Sequence, residues 1–183
     1  MEQPGPAPVL DPAVVEFVHG GVAVGVATRD DDLRPEFARG WGPEVSPDGR
    51  SLRLCVTAPE GSRMRANLRQ NGALAVGFSP PTIARAVQVK GVVAAIHDPE
   101  AADLERVERH VHSFVEEAGR VGAPPELSRR MFVGSGLVTV VFSIDEVFDQ
   151  TPGPTAGRRL GKSSRFRSSR SVPACRVYSL PGS

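Results

Sequence analysis

Hydrophobic positions along the chain recur with two periods, and these divide it into strands and helices. Residues 22–28 read as a strand of small and branched side chains, and residues 35–45 as a second. Ser46-Pro47-Asp48-Gly49 is a hairpin turn leading into a third strand over residues 51–57. Within that strand Leu52, Leu54 and Val56 share one face, and Arg53, Cys55 and Thr57 share the other. Residues 73–79 predict strand four, 84–97 strand five and 136–148 the last strand.

The helical period is clearest where Leu104, Val107, Val111, Phe114, Val115 and Ala118 form one apolar stripe. Asp98-Pro99-Glu100 supplies an N-cap, a proline at N1 and an early acid, and Gly119 or Gly122 stops the helix. A shorter helix opens at Asp11-Pro12, runs to about His19 and ends at Gly20-Gly21. Another covers residues 62–70, capped by Ser62, with Met64 and Leu68 as its buried pair. Residues 125–131 predict one or two further turns.

Six strands joined mostly by short turns, with one long helix inserted before the last, predict a mainly β fold with α. The expected architecture is a six-stranded antiparallel Greek-key barrel with short flanking helices, and a sandwich is the alternative. Glycine within the strands suits tight barrel curvature.

Charge divides the chain. Seven of its 22 basic residues lie from Arg158 onward with no acidic residue among them, so residues 1–157 hold 15 basic against 21 acidic and carry −6. Two segments are therefore expected: one domain over 1–157, and a disordered Arg/Ser-rich tail over 158–183. Arg165-Phe166-Arg167 in that tail raises a nucleic-acid reading, which ranks below an unselected extension. Cys55 and Cys175 form neither a disulfide framework nor a metal site. No run approaches the ~20 apolar residues of a membrane span, and no leader pattern opens the chain, so a cytoplasmic protein without membrane contact is the default. His110 and His112 are two apart on a helix, point away from each other and read as surface residues; with His97 they suggest no metal site. There is no Ser-His-Asp order, no Walker loop and no Rossmann fingerprint.

The candidate chemistry lies between Thr57 and Gly91. A helix N-terminus presents free N–H groups and the positive end of the helix dipole. Ser62, Arg63 and Arg65 at that end make a place suited to a phosphate group. Gln88 and Lys90 share a strand face opposite Val87 and Val89, and are read as solvated or as lining a dimer groove, with the groove preferred. Phe37, Arg39 and Trp41 share a face of strand two that serves core, interface or cofactor wall, with core or interface preferred.

The order of these elements resembles the pyridoxamine 5'-phosphate oxidase-like superfamily of FMN-binding split β-barrels, over roughly residues 12–157. Thr57 followed by Ser62-Arg63 is similar to that family's threonine strand end and Ser-Arg-Lys phosphate clamp. Leu68 and Asn71 stand at its helix leucine and Asn-Pro. Arg85-Ala86-Val87-Gln88-Val89-Lys90-Gly91 is similar to its Arg-Gln-Val strand, and Phe148-Asp149-Gln150-Thr151-Pro152-Gly153-Pro154 to the end of some bacterial members. The resemblance implies a homodimer with FMN at the subunit interface, a small-molecule substrate and an oxidoreductase activity. It implies cofactor contacts from Arg39, Thr57, Ser62 and Arg63, with Arg65, Gln88 and Lys90 as further candidates. Two positions depart from the pattern: Met64 replaces the clamp lysine, and Ala86 replaces the strand glutamine that reaches the flavin ring. Arg65 and Gln88 are the nearest substitutes. The alternative is a non-catalytic dimeric barrel that holds a flavin, the deazaflavin F420 or haem for storage or sensing, or that holds no cofactor. No catalytic acid or base is assigned, and no metal is expected.

Overall fold

Six strands close into a barrel because their alternation puts one apolar face inward all the way round. The computed structural model describes residues 9–132 and 134–160. The strands are β1 (Ala23–Arg29), β2 (Pro35–Val45), β3 (Ser51–Thr57), β4 (Ala73–Ser79), β5 (Val87–His97) and β6 (Leu137–Asp149), with a two-residue β7 (Arg158–Arg159) added. The helices are α1 (Pro12–Val18), α2 (Arg63–Gln70), α3 (Ala101–Gly119) and α4 (Pro125–Arg130). The sheet order is β3-β2-β1-β4-β5-β6-β7, and β3 pairs with β6 to close the barrel. Every pairing is antiparallel. The antiparallel six-stranded barrel expected from the sequence is therefore the observed fold, with β7 as an unforeseen addition.

The barrel interior is lined by Val24 and Val26 of β1, Leu52, Leu54 and Val56 of β3, Leu74, Val76 and Phe78 of β4, Val87 and Val89 of β5 and Phe142 of β6, all buried. The alternation in β3 is as the sequence predicts. Met64 and Leu68 of α2 close one end of this core. Curvature has a visible cause at the β5–β6 bulge between Lys90 and Gly91. A Cβ on Gly91 would lie 1.7 Å from the Ser143 carbonyl oxygen, so only glycine lets the strands approach there.

A second apolar layer lies outside the barrel. Helix α3 packs Val107, Val111 and Val115 over Trp41, Cys55 and Leu137. Trp41 meets Phe114 and Phe132 edge-to-face at ring centroid distances of 6.4 and 5.3 Å. Gly42, at φ +59°, permits this contact, since a Cβ there would sit 2.9 Å from the Val107 nitrogen.

Helix α3 departs from expectation in its start and in its rotation. It begins at Ala101 with Glu100 as N-cap, not at Asp98, because the Asp103 carboxylate accepts the Glu100 N–H at 3.0 Å. Asp103 is fully buried and is held by Arg53 Nε and Nη2, each at 2.7 Å, by Thr139 Oγ1 at 2.9 Å and by Arg106. This anchor turns the inner face onto positions 103, 107, 110, 111 and 114. Leu104, expected in the apolar stripe, is 45% exposed as a result, and His110, expected on the surface, is buried. His112 is exposed and faces Glu116 at 3.2 Å.

Two boundaries also move. Strand β5 starts at Val87 and not at residue 84, because the Ala86 N–H and carbonyl turn to Thr151 Oγ1 and the Gln150 N–H. Arg158–Arg159, expected in a disordered tail, pair with Asp149 and Phe148 as β7. Leu160 follows into the barrel core, its N–H donating to the Val147 carbonyl at 2.7 Å. Residues 161–183, and with them Cys175 and Arg165-Phe166-Arg167, lie outside the described residues. Cys55 is a buried free thiol, raised above its ordinary pKa chiefly by burial. Among the described residues no helix is long and apolar enough to cross a membrane.

Candidate cofactor site

The side of the barrel away from α3 carries few large side chains. Outward positions on β1 are Ala23, Gly25 and Ala27, and on β4 Ala73, Ala75 and Gly77. Register puts Gly25 opposite Gly77 and Ala27 opposite Ala75. The result is a smooth floor two strands wide. A Cβ on Gly77 would meet nothing within 4 Å, so the space above it is open.

Polar and aromatic groups stand on both sides of that floor. On the β2 side Arg39 is opposite Gly25 and Phe37 opposite Ala27. The Phe37 ring, 62% exposed, lies so close over Gly25 that a Cβ there would be 2.7 Å from Phe37 Cε2. The β2–β3 pairing ends with Gly40 opposite Val56, and Arg39 and Thr57 are the next residues of the two strands beyond that pair. On the β5 side Gln88 is opposite Gly77 and Lys90 opposite Ala75. One row therefore runs across the outer face from Thr57 through Arg39, Gly25 and Gly77 to Gln88. Arg39 and Gln88 are three strand spacings apart, or about 14 Å.

Arg39 is half-buried and has no hydrogen bond or ion pair among the described residues. A guanidinium in that setting is a standing donor for an anion. Gln88 accepts a hydrogen bond from Gln150 Nε2 at 3.3 Å, and Lys90 Nζ lies 4.7 Å from the centroid of the Phe148 ring.

The residues near α2 divide. The Ser62 hydroxyl caps the helix, accepting the Arg65 N–H at 3.2 Å. Arg63 is 69% exposed and pairs with Glu36 at 3.0 Å, three residues before Arg39 on β2. Arg65 turns the other way, to Glu60 at 2.7 Å and Asp98 at 3.7 Å, and its side chain is only 14% exposed. Met64, at the clamp-lysine position of the resemblance, faces the barrel interior and accepts from Thr28 Oγ1 at 3.5 Å. A lysine with this orientation would bury its ammonium in the core.

The structure thus brings Thr57, Arg39, Gln88 and Lys90 onto one face and leaves Ser62 and Arg63 near its β2 side. It directs Arg65 elsewhere. Four contributors were missed in the sequence: the Gly25–Gly77 floor, Glu36 as the Arg63 partner, Phe148 under Lys90 and Gln150 on Gln88. Only the first left a signal, the small-large alternation AVGVA in β1 and ALAVGF in β4.

No family model and no curated protein matches the chain. Solved structures similar to it include HupZ of Group A Streptococcus, at 16% identity and TM-score 0.48, covering 81% of this chain and 100% of that one. A structure described as a putative pyridoxamine 5'-phosphate oxidase from Lactobacillus delbrueckii is 16% identical at TM-score 0.48, with 76% of this chain and 93% of that chain covered. An FMN-binding protein from Syntrophomonas wolfei is 14% identical at TM-score 0.47, with 76% and 87% covered.

Proposed function

We propose that the outer face of β2, β1, β4 and β5 binds a phosphate-bearing flavin, FMN before the deazaflavin F420 or haem, and that the protein is an FMN-dependent oxidoreductase. The observation that carries this reading is Arg39, half-buried and without a hydrogen bond or ion pair among the described residues, near Thr57 at the edge of a floor that is open above Gly77. The donor set fits the group. Arg39 and the Thr57 hydroxyl suit the phosphate, and Arg63 joins them by exchanging Glu36 for it. Gly77 lets a planar ring approach the backbone, as only a residue without a Cβ allows, while at Gly25 the Phe37 ring already fills that space. Phe37 offers an aromatic surface beside the ring, and Gln88, held by Gln150, offers polar atoms to its edge.

Bound there, the flavin would supply hydride chemistry, while the protein supplies anchoring, orientation and electrostatics. Arg39 would fix the phosphate end. Gln88 would set the ring orientation from about 14 Å away across the sheet. The resemblance to FMN-binding split barrels implies a homodimer with the cofactor between subunits, and a face left open above Gly77 by the described residues supports that arrangement.

One observation favours a second reading. Met64 is a core residue and Arg65 is already paired, so the phosphate clamp is weaker than the resemblance implies. The second reading is a barrel that holds flavin, F420 or haem without turnover. Titration of the purified protein with FMN, followed by the flavin absorption bands, tests binding; oxidation of a reduced nicotinamide by the loaded protein separates the two. Binding with turnover supports the oxidoreductase, binding without it the carrier, and no binding contradicts both for FMN.

A further inference from the structure

Strand β2 is interrupted where its register with β3 shifts between Trp41 and Glu44. The two flanks of this bulge are held by imidazoles from two different helices. The Gly42 N–H donates to Nδ1 of His110 on α3 at 3.2 Å. The Val45 N–H donates to Nε2 of His19, the C-cap of α1, at 3.1 Å. A backbone N–H can only donate, so both of these ring nitrogens must be unprotonated. His110 is further constrained: Nε2 faces the Val22 carbonyl at 3.0 Å and so must carry the proton. The ring is a neutral, fully satisfied bridge joining β2, α3 and the residue that precedes β1.

We propose that His19 and His110 form an acid-releasable latch that fastens α1 and α3 to the β2 bulge. Protonating either acceptor nitrogen replaces an N–H···N bond with two opposed donors, and a buried donor left unsatisfied is costly. The surroundings reinforce the effect. A cleft of about 380 Å³ between the two rings is lined by Glu44, Arg106 and Arg109, while Glu16 and Asp48 lie near His19 on its other side. Arg106, tied to Glu44 at 3.2 Å, and Arg109 already place two cations in the cleft, while Glu44 favours protonation of His19 by less than burial opposes it. Burial lowers the His110 pKa to about 4 and also lowers that of His19. The sign follows: between the ordinary value of 6.5 and about 4, the released form takes up a proton that the latched form refuses, so latching weakens as the pH falls through that window. The Asp103 carboxylate is held well below the usual carboxylate range by Arg53, its N-cap N–H and Thr139, so the anchor at the start of α3 survives when the latch opens.

Trp41 is the only tryptophan in the chain, and its ring centroid is 6.0 Å from that of His110. Its emission therefore reports opening. The experiment is a titration of the full chain from pH 7 to 3, read by Trp41 fluorescence and by amide exchange at Gly42, Val45 and the barrel residues Val24 and Val26. The latch predicts that Trp41 emission shifts to the red and Gly42 and Val45 lose protection at least tenfold while Val24 and Val26 keep theirs. H110N and H19Q place an amide oxygen where Nδ1 and Nε2 accept, without titrating. H110N should move the midpoint down by a pH unit or more, and H19Q should abolish the Val45 change. The same midpoint in wild type and both variants, or simultaneous loss of protection in the barrel, overturns the proposal. Should a variant not fold, the ring ¹⁵N shifts of wild-type His110 decide: titration near pH 6.5 with Gly42 still protected overturns it, and the Nε2–H form persisting until Gly42 is released supports it.

Discussion

Arg39 of β2 stands directly opposite Gly25 of β1, a glycine that the ring of Phe37, two residues back on β2, covers. The same row holds Thr57 on one side and Gly77 and Gln88 on the other. The proposed binding of a ligand with one anionic end and one flat part rests on this arrangement.

Removing that guanidinium should cost most. Arg39→Ala is expected to weaken FMN binding by about 10- to 100-fold, the loss of one charge-assisted hydrogen bond of about 1.5–3 kcal/mol. Its thermal midpoint should change little, since no described residue depends on Arg39 for a partner. Equilibrium dialysis of the variant and a melting curve check the two halves of this outcome.

The floor makes an opposite kind of prediction. Gly77→Val adds a branched side chain where open space exists, and a strand accepts valine readily. Folding should be unaffected or slightly improved, while FMN affinity falls by at least tenfold because the ring cannot approach. Binding unchanged in this variant would remove the floor from the account. Gly91→Ala is the contrasting control: its Cβ would collide with backbone at Ser143, so it should lose stability.

Asp103 is the structural charge of the molecule. Asp103→Asn leaves Arg53 and Arg106 without their shared partner and is expected to cost about 3–5 kcal/mol, measured by urea denaturation. Its hydrogen bonds with Arg53 depress the folded pKa below the ordinary carboxylate value. Stability from this group is therefore present above the ordinary carboxylate value of 3.8 and is lost as the pH falls from there to the depressed folded value. Wild type should keep this contribution at pH 4, and the difference between wild type and variant should shrink only in stronger acid.

Leu160 tests the unexpected seventh strand. Leu160→Ala should destabilise the barrel by about 2–5 kcal/mol, the usual cost of emptying a buried leucine site. A chain ending at Gly157 should show at least the same loss. An unstructured start to the tail would instead make both changes silent in a denaturation curve.

Much of the fold was readable because strand alternation and turn chemistry agree. The start of β2, the hairpin between β2 and β3 and the start of α2 follow from Pro35, from the Ser46–Gly49 turn and from the Ser62 cap, each a local signal. What was not readable depended on long-range contacts. Nothing near His110 in sequence announces that the Gly42 N–H and the Val22 carbonyl wait for its two nitrogens, so a polar residue beside the apolar stripe read as solvated. Asp103 drew no reading of its own from the sequence, because its partner Arg53, which fixes the rotation of α3, is fifty positions away. Leu160 sits in an Arg-rich, aperiodic segment, and two paired residues are too few to create a pattern. For the site, the polar candidates were visible as residue types, whereas their common row came from register, and Arg65 was drawn away by Glu60 and Asp98.

The central claim concerns the outer face, and the absorption spectrum of the purified protein with added FMN tests it most directly. Wild-type protein freed of unbound flavin should retain the flavin absorption bands, and Arg39→Ala, prepared in parallel, should retain them far more weakly. A colourless wild-type fraction, or equal retention by the two proteins, would contradict the account.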